Sequence, residues 1–253
     1  MAIEVFTPPR WSPRVRIVQT TRSGGASEGP YTSLNLGDHV GDDPAAIATN
    51  RSMLAGALPG GTRIAWLSQQ HGVTTVRALD CLDALREADA SVSTTPLLAC
   101  AILTADCLPV LLSDAEGSVV AAAHAGWRGL AGGVIESAVA AMGCDAARLR
   151  AWLGPAIGPT AFEVGAEVRE AFLQGSSSRA SREAVAACFR ARGEDDRFLA
   201  DLVALARIRL HSLGVADVQA ANACTFNEAS RFFSYRRDGA TGRMASLVLC
   251  LPA

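Results

Sequence analysis

Cys107 and His124 are the first residues whose types and placement suggest chemistry. Between them lie two apolar runs, Leu108–Ser113 and Ser118–Ala123, joined by Asp114-Ala115-Glu116-Gly117. Asp at the first and Gly at the fourth position of that link is a type I turn signature that suits a hairpin. A hairpin centred between Ala115 and Glu116 sets Cys107 directly opposite His124 on one face, with Cβ atoms about 4.5–5.5 Å apart. A bulge at Gly117 displaces this register by one residue. An opposed thiol and imidazole admit three readings: a packed core pair, a metal site, or a nucleophile beside its base. A third ligand favours the metal. Of the four histidines, His211 falls on a predicted helix as a surface residue and His39 in a Gly-rich loop. His71, in the polar bend Gln69-Gln70-His71-Gly72 between two predicted strands, is the better third ligand. Asp106 adjoins Cys107, but strand alternation turns it to the opposite face, where it reads as structural. Beyond His124, Ala125-Gly126-Trp127-Arg128-Gly129 leads into a predicted helix. The free amides at its start suit a phosphate or carboxylate, or form an ordinary strand-to-helix turn.

The elements that must position these residues are legible from patterning. Arg14–Thr20 reads as a strand, followed by a Gly/Ser/Asn-rich segment over 21–43. Asp42 and Asp43 before Pro44 start a helix that runs to Leu58 and stops at Pro59-Gly60-Gly61. Arg63–Ser68 and Val73–Leu79 are strand-like, and Ala99–Leu103, Pro109–Ser113 and Ser118–His124 are short apolar strands. Leu130–Met142 reads as a helix and Leu149–Leu153 as a strand; Glu167–Leu173, Arg182–Arg190 and Phe198–Leu213 read as helices, with a surface loop at Gly175–Ser178. Val218–Ala221 and Met244–Leu251 are the final strands. Several connections are too short for parallel crossovers, so the expected fold is α/β with mixed sheets covered by helices, in a single domain over residues 1–253.

Composition narrows the function. With 253 residues, a net charge of -2 and a pI near 6.1, the chain has no electrostatic footprint for nucleic acid. Its longest apolar runs are strand-length, so no membrane partner is expected. The first eleven residues carry prolines and an acid where a signal peptide needs a basic start and an apolar run, and the expected location is the cytoplasm. Seven dispersed cysteines without a CxxC pair suit reduced thiols. All 23 basic residues are arginines. Schiff-base chemistry and a P-loop lysine are therefore excluded, and an anionic substrate must be gripped by arginine, backbone amides or metal.

At these residues the sequence resembles the laccase-domain family, whose bacterial members are called polyphenol oxidase, purine nucleoside phosphorylase or peptidoglycan editing factor. The matching segments are Thr21–Gly25, Tyr31–Gly37, Asn50-Arg51, Gln70-His71-Gly72, Ala88–Ala90, Thr104–Pro109, His124–Gly129, Trp152–Pro159, Phe162–Gly165 and Phe233–Arg243. TADCLP and HAGWRG together are the most specific, and residues 174–196 are the least family-like. The resemblance implies a layered α/β/β/α fold similar to the catalytic domain of the cytotoxic necrotizing factor toxins. It also implies that His71, Cys107 and His124 jointly bind one metal ion at the active centre.

The resemblance further implies phosphorolysis of adenosine, inosine, guanosine and methylthioadenosine, with adenosine deamination as a second activity. The partners are then a small purine nucleoside and phosphate. Three protein ligands with a fourth position open is the pattern of catalytic zinc; copper remains possible, since a His₂Cys set also occurs in blue-copper sites. The candidate substrate and phosphate contacts, all in matching motifs, are Arg22, Asn35, Arg51, Arg128, Arg236 and Arg243. One alternative is an amidase that removes misincorporated L-serine from a peptidoglycan precursor; another is a module that uses the metal structurally. A four-copper polyphenol oxidase is disfavoured, because four histidines and no His-x-His motif cannot furnish its imidazole-rich cluster.

Overall fold

The computed structural model describes residues 5–6, 12–175, 178–193 and 196–252. Leu98–Thr104, Leu108–Asp114, Val120–Ala125 and Met244–Cys250 are buried along their whole length. A strand covered on both faces cannot alternate apolar with polar residues, which is why these segments read as unbroken apolar runs. They form the middles of two sheets. The first has five strands in the order 5–6, 15–20, 244–250, 98–104, 63–65. The second has six, in the order 217–220, 149–153, 108–114, 120–125, 90–93, 75–77. The second sheet is antiparallel at its centre and parallel at both edges. The first is antiparallel except at Arg63–Ala65, so the expected mixed character holds.

The two sheets pack face to face through Ile17, Ile102 and Val248 from one and Leu111, Val120, Ala122 and Trp152 from the other. The outer face of the first sheet (Val18, Leu103, Leu247) is covered by Leu34, Leu36 and Leu54, the last on helix α1, Pro44–Gly56. Asp43 caps α1 by accepting from the Ala45 amide, as its place before Pro44 predicts. The outer face of the second sheet (Val110, Leu112, Ala121, Ala123) is covered by α2 (Trp127–Gly132), α3 (Val134–Met142), α4 (Ala166–Gln174), α5 (Arg179–Ala187) and α6 (Leu202–Ser212). A four-residue turn of helix, α7, spans Tyr235–Asp238. The layers are therefore α/β/β/α.

Five expectations need correction. The helix expected at Leu130–Met142 starts at Trp127 and breaks at Gly133, whose φ of 105° only glycine adopts without strain. Phe198–Leu213 is not one helix, since Arg197–Ala200 is a strand paired with Glu163–Gly165 and Phe189–Ala191. Asp201 then starts α6 by accepting from the Ala204 amide. That pairing also ends the helix expected at Arg182–Arg190 early, at Ala187. Arg63–Ser68 divides at Trp66, with Leu67–Ser68 leaving the five-stranded sheet to pair with Arg86–Glu87. Val73–Leu79 is a strand only over Thr75–Arg77, before a 3-10 turn at Ala78–Cys81. Within Gly175–Ser178, residues 176–177 lie outside the described residues.

Candidate metal centre

The hairpin that carries Cys107 and His124 closes on a wider loop than its sequence predicts. The Asp114 carboxylate accepts from the Ser118 and Val119 amides at 2.7 and 3.1 Å and from the Ser118 hydroxyl. Gly117 turns the chain at φ 70°. These bonds displace the register by two residues, so His124 faces Pro109 and Cys107 lies diagonal to it. A two-residue shift preserves the alternation. Cys107 and His124 therefore share the face of Leu111 and Ala122, the face turned to the first sheet, and close the end of the core between the sheets.

His71 arrives from the bend before Thr75–Arg77 in a left-handed conformation, φ 60°. Its position is fixed by Asp89, a buried carboxylate one residue before the strand Ala90–Ser93. Asp89 Oδ1 accepts from the His71 amide at 2.9 Å, and Oδ2 accepts from the Gln70 and Gly72 amides at 3.1 and 2.7 Å. Oδ1 also accepts from His124 Nδ1 at 2.8 Å, while the Asp89 carbonyl accepts from the His124 amide. One side chain thus holds two of the three predicted ligands. It also leaves Nε2 of His124 as the free ligand atom, the usual carboxylate–histidine arrangement behind a metal.

The ligand atoms of His71, Cys107 and His124 all lie within 4.8 Å of one another, a separation able to hold one ion. Cys107 Sγ is 3.8 Å from His71 Nε2, and the two imidazole rings stand edge to face at 4.7 Å. Close packing at Gly126 maintains this. A Cβ there would meet His71 Cδ2 at 3.0 Å and Cys107 Sγ at 3.1 Å. Burial alone would push the Cys107 thiol up, but His124 and then His71 outweigh it and hold the thiol down at about 6. Burial likewise pulls His124 down, and Cys107 and Asp89 override it, raising the imidazole to about 9. At neutral pH the free site is a thiolate–imidazolium pair, and an ion entering it takes the place of the His124 proton. Among the described residues this is the one group of three or more His, Cys, Asp or Glu residues able to hold a metal.

His71 and Cys107 lie at the seam of a two-lobed cleft, and His124 lines one of its lobes. One lobe, about 360 Å³, is lined by His39, Gln69, Thr104 and Arg243 among others. The second, about 240 Å³, is lined by Trp127, Arg128, Ile157, Phe162, Leu202 and Arg236 among others. His71, Ala105, Cys107 and Tyr235 line both.

A family model described as multi-copper polyphenol oxidoreductase laccase matches residues 16–251. The chain belongs to this family. By that membership it is an enzyme. A Pseudomonas aeruginosa protein named purine nucleoside phosphorylase is 52% identical over 97% of this chain and 98% of its own. The Escherichia coli purine nucleoside phosphorylase YfiH is 48% identical over 95% and 96%. Among solved structures, Neisseria meningitidis protein NMB0706 superposes with a TM-score of 0.92 at 48% identity, over 98% of this chain and 99% of its own.

Among the other expected site residues of this laccase-domain enzyme, Arg128, Arg236 and Arg243 line the cleft, whereas Arg22, Asn35 and Arg51 line neither lobe. Arg22 donates to the Thr32 and Ala229 carbonyls and lies over Phe233. Arg51 donates to the Leu36 carbonyl and pairs with Asp38. Asn35 is buried and bridges Gly37, Asp42 and the Arg243 amide. All three fix the long Gly/Ser/Asn segment. Asp106 accepts from Thr225, Ser234 and the Arg236 amide, which suits the expected structural role, and it lines the second lobe beside Cys107. The helix start after His124 belongs to α2, only six residues long, which limits its dipole. Sequence reasoning missed Asp89 as the organiser and Tyr235 at the seam; the acid between two alanines in Ala88–Ala90 was the available signal for the first.

Proposed function

We propose that this chain is a purine nucleoside phosphorylase built on one metal ion, zinc, held by His71, Cys107 and His124. Its expected substrates are adenosine, inosine, guanosine and methylthioadenosine, with adenosine deamination as a second activity. The observation that carries the reading is a thiolate–imidazole triad in the wall of a cleft whose two lobes share His71 and Cys107 and differ in chemistry. The names of the P. aeruginosa and E. coli relatives, similar over nearly their full length, support it. A borderline-soft ion with no geometric preference suits two imidazoles and a thiolate, and zinc fits that description. When bound, it supplies Lewis acidity at the cleft wall. The chain's own residues do the rest. Asp89 keeps His124 in the tautomer with Nε2 free, the aromatic rings of Trp127, Phe162 and Tyr235 offer flat faces to a purine, and Arg243 in the other lobe can meet an anion. Seven unpaired thiols suit the reducing cytoplasm.

Incubation with inosine, with and without phosphate, tests this. Hypoxanthine and ribose 1-phosphate should appear in equal amounts only when phosphate is present, and only from protein with its thiol intact. Release of L-serine from a nucleotide-linked muramyl precursor without phosphate, and no base from inosine, would assign the same centre to amide hydrolysis.

A further inference from the structure

We propose that the lobe lined by His39, Thr104 and Arg243 is the inorganic phosphate subsite, and that the lobe lined by Trp127, Ile157 and Phe162 receives the purine. This rests on the phosphorylase reading and orients its substrates. In phosphorolysis a phosphate oxygen forms a bond to C1′ of the ribose as the bond from C1′ to the purine nitrogen breaks. The electron pair leaves with the purine, which takes up the proton that the hydrogen phosphate gives up. The entering phosphate and the leaving base lie on opposite sides of the sugar, so the enzyme needs two subsites of different chemistry that meet where the sugar sits. The two lobes meet along His71, Ala105, Cys107 and Tyr235.

The lobes differ in how they treat their arginines. Arg128 and Arg236 are exposed. Their guanidinium groups lie over Trp127 and Phe162, at 4.5 and 5.4 Å from the ring centroids, as that of Arg243 lies over Tyr235 at 5.9 Å. Arg236 also donates to the Glu163 carbonyl. Arg243 is partly withdrawn from water, and no carboxylate among the described residues pairs with it. Its Nη1 donates to the Thr241 and Gly242 carbonyls at 3.0 and 3.1 Å, which fixes the plane of the group and leaves Nε and Nη2 without a protein acceptor among the described residues. Burial of this cation outweighs its attraction to Cys107 and Asp106, and a bound anion offsets that cost. Burial accordingly pulls the Arg243 pKa down, and burial together with Arg243 pulls down that of His39. Thr104 supplies an independent sign. It is buried, lines this lobe, and its hydroxyl has no hydrogen-bond partner. A buried polar group left unpaired points to a ligand not yet in place. Gln69 is excluded as a phosphate contact, because both ends of its amide are occupied by the Leu103 backbone.

Calorimetric titration of zinc-loaded protein with inorganic phosphate tests the assignment. Arg243→Gln should weaken phosphate binding about 10- to 100-fold, the worth of a charge-assisted contact, with Arg243→Lys recovering part of it. Arg128→Gln should keep the wild-type phosphate affinity, and Trp127→Ala should weaken inosine but not phosphate. Thr104→Val removes a hydroxyl with no partner, so it should fold as well as wild type and still bind phosphate several-fold more weakly. The proposal is overturned if wild type binds no phosphate, if Arg243→Gln binds it like wild type, or if the loss falls on Arg128→Gln instead. Should Arg243→Gln not fold, an unchanged phosphate affinity in Thr104→Val overturns it equally. Phosphate held through Arg243 without release of hypoxanthine from inosine leaves the anion subsite standing and refutes the phosphorylase reading alone.

Discussion

Replacing Asp89 by Asn changes no heavy-atom count, yet it should cost the site its metal. Four donors converge on the carboxylate: His124 Nδ1 and the His71 amide on Oδ1, and the Gln70 and Gly72 amides on Oδ2. A carboxylate can accept all four; an amide offers one acceptor oxygen and a donor nitrogen. Placed at the Oδ2 position, the nitrogen opposes two backbone N–H groups that cannot rearrange. Placed at the Oδ1 position, it opposes one backbone N–H and the His124 ring, and the ring can respond by moving its proton from Nδ1 to Nε2. The second placement leaves one buried donor unsatisfied instead of two, a difference of about 1–3 kcal/mol. His124 then carries a proton on the atom that must ligate.

The expected loss of zinc affinity is about 10- to 100-fold, the usual cost of removing such a support, or about 1.4–2.7 kcal/mol. One orphaned donor also costs about 1–3 kcal/mol of stability, roughly 2–12 °C in melting temperature for a chain of this size. Competition against a chromophoric zinc chelator measures the first, and the loss of the thiolate-to-cobalt band in cobalt-substituted protein gives a second readout. A folded Asp89→Asn variant that binds zinc within threefold of wild type refutes the argument that this carboxylate sets the His124 tautomer.

Three further outcomes follow from the same geometry. Cys107→Ala should lose metal and activity together while melting within a few degrees of wild type; stoichiometric zinc retained in that variant would make Cys107 a free nucleophile. Gly126→Ala is conformationally permitted, at φ −59° and ψ 157°, but its Cβ would press on His71 Cδ2 and Cys107 Sγ. Zinc affinity should fall at least about tenfold with little change in secondary structure, and an unchanged affinity would show that the ligands have room to move. In metal-free protein the Cys107 thiol, held down at about 6, should alkylate at a rate that rises through pH 6 and levels off near neutrality. The depressed thiol contributes stability that is lost as pH falls through about 6. The raised imidazole contributes stability that is lost as pH rises through about 9, so the ion pair supports the metal-free fold between those values. Mass spectrometry of the labelled peptide and thermal melts across pH 5–10 check both.

Sequence legibility followed the range of the interactions involved. Strand alternation is local, so the shared face of Cys107 and His124 was readable although their direct opposition was not; the register depends on where the Asp114 carboxylate finds its donors. A single helix over Phe198–Leu213 is what the sequence predicts, because Phe198, Leu202 and Leu205 repeat at helical spacing, and only the neighbouring strands 163–165 and 189–191 make Arg197–Ala200 extended. The arginines divided for a similar reason. A motif fixes residue type, but the Ala229 carbonyl that engages Arg22 is 207 positions away. Asp89 is the sharpest case. Its role exists only once the chain from 70 to 72 and the ring at 124 have been folded onto it from either side.

The family description speaks of several coppers, and the placement of the imidazoles argues for one ion. His211 is exposed on α6, remote from both lobes in the lining of the cleft. His39 does reach the cleft, but lies outside the group of mutually close ligand atoms and sits beside Asp38 instead. Two imidazoles and one thiolate are what the centre can offer, too few for a cluster of three coppers. A single blue-copper ion would want a weak axial thioether. Met244 gives its sulfur to the Phe233 amide, Met142 is packed in the helix-facing core, Met53 lies on α1, and none of them lines either lobe. The donor set that remains suits the single zinc ion proposed above. Metal analysis of protein purified without added salts should therefore find about one zinc per chain. More than one copper per chain, bound tightly enough to survive dialysis, would contradict the ligand arithmetic outright.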